Sequence, residues 1–124
     1  MSTLTVTSIK KTGETASRDA SGVAAAWVNF NGTGTVAIRD SFNVASLTDN
    51  STGDYTVNVT NNFVNANYNG SSMGCGPSDP YRIVSFRGSV SPTTSSFRVA
   101  TYNLSQNGLE DAAIVGISTH GDLA

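Results

Sequence analysis

Charge is scarce in this sequence. Lys, Arg, Asp and Glu make up only 13% of its 124 residues, and the formal net charge is −2. A soluble globular domain ordinarily carries about 25% charged residues. Seven Lys and Arg residues do not make the basic stripe that phosphate backbones require, so nucleic acid is not an expected partner. Cysteine is almost missing: Cys75 stands alone, which excludes an intramolecular disulfide framework and reads as a small structural thiol. Histidine is equally rare. His120 sits in the polar tail Thr119-His120-Gly121-Asp122, and with one imidazole few arrangements of nucleophile, base and orienting group remain open. No catalytic residue, cofactor or metal is therefore expected. No stretch reaches the roughly 20 apolar residues of a membrane span; the longest near-apolar run is Gly22 to Val28. A secretory signal has its basic residues before the apolar core, whereas Lys10-Lys11 follow Leu4, Val6 and Ile9, so synthesis in a cytoplasm is expected.

What is abundant is small and polar. Ser, Thr, Asn and Gly account for 56 residues, all four types being poor helix formers suited to turns and solvated strand faces. With 38% apolar residues, one core and one domain are the expectation, preceded by an arm over residues 1–22.

The hydrophobic pattern has a period of two. Leu4 and Val6 alternate with threonines in a short extended segment, and a polar stretch from Lys10 to Gly22 follows. Ala26, Val28 and Phe30 share one strand face, with Trp27 and Asn29 on the other. Asn31-Gly32-Thr33-Gly34 is a turn signal. Thr35 to Arg39 reads as a strand broken by Asp40-Ser41, and another begins at Phe42 and Val44. Asp54 to Thr60 alternates cleanly, with Tyr55, Val57 and Val59 facing inward. A weaker strand over Asn67 to Met73 leads into the loop Gly74 to Pro80. Strands over Tyr81–Arg87, Ser96–Asn103 and Asp111–Thr119 complete the chain, the last two separated by the hairpin signal Asn107-Gly108. Eight or nine short strands with no helical period predict an all-β, jelly-roll-like antiparallel β-sandwich spanning residues 23–124.

Two strands are apolar on both faces. Tyr81 and Ile83 point one way and Val84 and Phe86 the other, while Ile114 opposes Ala113, Val115 and Ile117. A two-layer sandwich dries only one face of each sheet, so the second must be covered. Self-association through Tyr81, Ile83, Val84 and Phe86 is the preferred cover, and a loop lying over the sheet is the other.

The acidic residues Asp40, Asp49, Asp54 and Asp111 fall at strand ends and turns, where Asp bonds its own backbone, which outweighs a glycosidase pair. Asp49 to Asp54 superficially resembles a calcium loop but has Thr60 where the twelfth-position acid is needed. Saccharide surfaces combine an aromatic face with amide and hydroxyl partners. Asn61, Asn62, Asn65 and Asn67 surround Phe63 and Tyr68, and Tyr102-Asn103 offers a second such pair. These residues are the candidate glycan-binding surface; the plainer reading is a polar loop with its aromatics in the core.

The run Ala26-Trp27-Val28-Asn29-Phe30-Asn31-Gly32-Thr33-Gly34, then Ile38 to Val44, Leu47 to Asn50 and Thr52 to Asn58, resembles a module of tailed-bacteriophage proteins. Such modules stand at the tips of tail fibres and related virion appendages, notably in phages of marine bacteria and cyanobacteria. Phe63 to Tyr68, Ser96 to Val99 and Asp111 to Ser118 also fit, so the resemblance covers roughly residues 24–119. It implies a homotrimeric β-sandwich displayed on the virion surface for host-surface recognition; joined to the residue readings above, the expectation is synthesis in the host bacterial cytoplasm and host-glycan binding without catalysis. The roughly 20 residues ahead of the module could stretch about 60–70 Å, enough to tether a knob but not to form a fibre shaft. Leu4, Val6 and Ile9 are the expected anchors of that arm to other virion proteins. A capsid decoration protein, its arm added as a strand to a capsid neighbour, is the alternative.

Overall fold

The computed structural model describes residues 1–10, 12–75 and 81–124. Eleven strands run β1 Ser8–Ile9, β2 Arg18–Asp19, β3 Ala24–Asn31, β4 Ala37–Phe42, β5 Val44–Ser51, β6 Asp54–Val59, β7 Asn69–Cys75, β8 Arg82–Phe86, β9 Ser96–Asn103, β10 Gly108–Leu109 and β11 Ile114–His120. The only helical element among the described residues is the single 3-10 turn Ala20–Gly22. Nine strands form two antiparallel sheets. Sheet I has the order β4-β3-β11-β7; sheet II has the order β10-β9-β6-β5, with β8 on the other edge of β9. The chain is thus an all-β sandwich.

The core lies where the inward rows of the two sheets meet. Val28 and Phe30 of β3 and Val115 and Ile117 of β11 pack with Tyr55 and Val57 of β6 and Phe97 and Val99 of β9, all essentially buried. Phe30 meets Tyr55 edge-on at 5.0 Å. Val28, Phe30, Tyr55 and Val57 fall on the faces the alternation groups together, because a pleated strand sends every second side chain to the same face.

Three local departures have physical causes. β4 continues through Asp40 and Ser41, which pair with Asn29 and Val28, and a bulge between Asn29 and Phe30 absorbs the extra residue. The chain turns instead at Asn43, whose φ of 56° is one that Asn tolerates. Its side chain fixes the corner by donating to the carbonyls of Ala25 and Asn61 and accepting from the Asn61 amide at 2.7 Å. The outer face of β11 carries Gly116 and Ser118 beside Ile114, so the second strand expected to be apolar on both faces is not. The leading segment is not extended throughout either. β1 and β2 pair as a small ribbon, and the Ala20 amide donates to the Thr7 carbonyl at 2.9 Å. Residues 76–80 of the loop before β8 lie outside the described residues, as does Lys11.

Candidate functional site

The asparagine-rich segment is laced to the chain's tail. The Val64 amide donates to the Asp122 carbonyl at 2.9 Å, the Ala124 amide to the Asn62 carbonyl at 2.8 Å, and Phe63 bridges Leu123. This closure forms a cleft of about 280 Å3 lined by Asn65, Asn67, Tyr68, His120 and Asp122. His120 Nδ1 lies 3.1 Å from the Gly22 carbonyl. Asn61 and Asn62 are exposed outside the cleft. Tyr68 offers no free ring: it stacks on Phe63 at 3.9 Å and 19°, and its hydroxyl lies 2.9 Å from the Thr93 carbonyl and 3.1 Å from that of Ser96. Burial pushes the Tyr68 hydroxyl from an ordinary pKa of 10 up to about 12.

The second predicted pair does not join this cleft. Tyr102 lies six residues along β9 from Ser96, a separation of about 20 Å at the usual rise per residue, and its hydroxyl meets Asn107 Oδ1 at 2.6 Å. Asn103 is fully buried. Its Nδ2 donates to Glu110 Oε2, and its Oδ1 accepts from the Ser105 amide at 2.8 Å. Tyr68 and Asn103 therefore leave the candidate glycan surface, because each satisfies its polar atoms inside the fold.

The predicted interface strand divides cleanly. Val84 is in the core and Phe86 packs against it, whereas Tyr81 and Ile83 stand in solvent, 59% and 46% exposed. Val84 is thus corrected from interface to core residue. Outward from β8, Ile83 pairs with Tyr102 of β9, and Tyr102 pairs with Leu109 of β10 on its other side. With Ala100 and exposed Leu104 they form the apolar side of an open hollow of about 520 Å3, which Ser85, Arg87 and Ser89 also line. Leu104, Leu109 and Ala100 were not singled out in the sequence; only the register of the three strands brings them beside Ile83.

A third surface was also not anticipated. On the outer face of sheet I the register sets two rows across four strands: Phe42, Trp27, Ser118 and Ser71 in one, Asp40, Asn29, Gly116 and Met73 in the other. Gly116 has no side chain and Ser118 a small one, so a groove of about 350 Å3 runs between Trp27 and Met73. The Ser71 and Ser118 hydroxyls meet at 2.9 Å, and Asn29 Oδ1 accepts from Arg39 at 3.4 Å. A glycine inside a strand marks close approach by something else. That was the available sequence signal.

At the N-terminus Leu4, Val6 and Ile9 are all exposed. Among the described residues no three His, Cys, Asp or Glu side chains gather in a metal-ligating group, and no helix is long and apolar enough to cross a membrane. Compared with protein-family models, curated proteins and solved structures, the chain shows no match.

Proposed function

We propose that this chain is a structural protein of the bacteriophage virion surface, a homotrimeric β-sandwich knob of a fibre or spike that recognises host-surface glycans without catalysis. The observation that carries this reading is the group of apolar side chains at the β8–β9–β10 corner of the outer face of sheet II. Ile83 and Leu104, half exposed, stand beside Tyr102 and Leu109, apolar side chains that a second copy packed against them would take out of water. Packing this face between copies covers it, and three copies then multiply a weak single-site affinity. The phage-like run of residues 26–58 supplies the setting. Sedimentation equilibrium at micromolar concentration should give three times the 12.8 kDa chain mass, and Ile83→Glu should reduce it to the monomer. A wild-type monomer would refute the assembly. Purified protein should also compete with phage for adsorption to host cells.

The exposed apolar side chains of the arm favour one other reading, a capsid decoration protein anchored through Leu4 and Val6. Binding of the purified protein to undecorated heads, lost on deleting residues 1–17, would select it over the knob.

A further inference from the structure

We infer that the groove between Trp27 and Met73 on the outer face of sheet I is a binding site for a neutral saccharide, one or two pyranose rings long. The inference rests on the glycan-recognition reading above and gives it a location that the asparagine cluster does not.

Three features select the ligand. First, the groove joins an aromatic wall, Trp27, to hydroxyl and amide groups on the same face, Ser71, Ser118 and Asn29. A sugar presents that duality: C–H faces that pack on a ring, and an edge of hydroxyls that both donate and accept. The Asn29 Nδ2 makes no hydrogen bond among the described residues, since only its Oδ1 is engaged, by Arg39. Second, every residue lining the groove is uncharged, so no ionic group on a ligand finds a counterion there. Third, the volume of about 350 Å3 lies at the small end of ligand pockets, the scale of one or two sugar rings.

Gly116 is what makes the groove. A Cβ built there would meet Met73 at 3.6 to 3.9 Å, ordinary contact distances, and its φ is not in the left-handed region. Neither packing nor backbone conformation requires glycine at this position. Its open floor lets a ligand lie directly against the β11 backbone.

Trp27 is the only tryptophan in the chain, so its fluorescence reports on this groove alone. Wild-type protein titrated with methyl glycosides of glucose, galactose, mannose and N-acetylglucosamine should give a saturable change in emission with at least one of them, at millimolar concentration. Gly116→Val keeps the reporter and fills the floor; it should weaken that glycoside at least tenfold while leaving the urea midpoint and the sedimentation mass unchanged. Ser118→Ala should weaken it a few-fold. No saturable change with any glycoside overturns the inference, as does unchanged affinity in Gly116→Val. Emission that shifts with protein concentration alone overturns it too, because a second copy then occupies the groove. Isothermal titration of the same proteins separates the two levels: glycoside binding that Gly116→Val does not affect removes this site and leaves glycan recognition standing, whereas wild-type protein that binds no glycoside in either assay removes both.

Discussion

Arg98 holds the Asp54 carboxylate with two parallel hydrogen bonds, Nε to Oδ1 at 2.7 Å and Nη2 to Oδ2 at 3.0 Å. The two residues are diagonal neighbours on the outer face of sheet II, because Asp54 is opposite Ala100 and Thr56 is opposite Arg98. Asp54 is nevertheless only 2% exposed. Asn50 Nδ2 at 3.4 Å and Arg87 Nε at 3.5 Å close over the same carboxylate. A buried acceptor with so many donors is costly to strip. Arg98→Met should destabilise the fold by about 2 kcal/mol, within the usual penalty for leaving a charged acceptor short of partners. Arg87→Met, which removes the longer contact, should cost under about 1 kcal/mol. Urea midpoints of the two variants give the comparison.

Gly53 and Gly34 share a backbone conformation and differ in surroundings. Their φ values are 64° and 59°, where a Cβ costs about 1–2 kcal/mol. At Gly34 nothing lies within 4 Å of a built Cβ, whereas at Gly53 that atom would sit 2.6 Å from the Thr101 carbonyl oxygen and 2.7 Å from the Glu110 nitrogen. Gly34→Ala should lower stability by about 1 kcal/mol. Gly53→Ala should cost at least about twice as much, since the β5–β6 turn must move off β9. Thermal melts of the two single variants isolate the packing part of the difference.

Much of the sandwich could be read from residues 24–31 and 54–60, because alternation there fixes which side chains face in. The turn at Asn43 could not. Asp and Ser are commoner strand breakers than Phe-Asn, and only the pairing of Asp40 with Asn29 across a bulge keeps that strand intact. Surfaces fared differently from the core. Exposure of Ile83 and burial of Val84 follow from alternation once the strand is known to be an edge. The outward rows at Trp27 and Gly116 depend on which strands are neighbours, and β3, β7 and β11 lie far apart in sequence. The same long-range pairing separates Tyr102 from Tyr68, two residues that matching local composition had grouped together.

Alkaline pH should unfold the protein earlier than its composition suggests. Burial raises the Tyr68 hydroxyl to about 12 from 10. Tyr55 is raised further, by burial and then by the Asp111 carboxylate 2.8 Å from its hydroxyl. In the unfolded chain both ionise near 10, so above that pH the native state holds protons that the unfolded state has released. Stability is complete below about pH 10 and falls as pH rises toward 12 and beyond. Tyr68→Phe should flatten the part of that slope between pH 10 and 12. Unfolding free energy measured at intervals of half a pH unit tests the change in slope, and an identical slope in the variant would count against it.

The arm should be dispensable for the fold. Residues 1–10 are all exposed, and the β1–β2 ribbon bonds to itself. Deleting residues 1–17 should change the urea midpoint by the equivalent of no more than about 0.5 kcal/mol. A larger loss would mean that the ribbon braces sheet I, next to the contact between Gly22 and His120.

At the opposite end of the sandwich, a charge pair joins a nearly buried guanidinium to a carboxylate that is 33% exposed, which makes its loss asymmetric. Arg82 Nη2 meets Glu110 Oε1 at 2.8 Å with the guanidinium side chain 11% exposed, and Nη1 donates to the Asp111 carbonyl. Among the described residues Arg82 Nε is buried with no hydrogen-bond partner, so the pair does not satisfy its own desolvation in full. Glu110 also accepts from Asn103. Glu110→Gln keeps an acceptor for Asn103 but leaves the guanidinium without a counterion, and should destabilise by about 3 kcal/mol. Adding Arg82→Met to that variant removes the stranded charge and the unpaired Nε together while the Met side chain replaces the aliphatic stem. The double variant should therefore be more stable than Glu110→Gln alone, by about 2 kcal/mol or more. A double variant weaker than the single one would show that the guanidinium's bond to the Asp111 carbonyl, and not its charge partner, holds this end of the fold together.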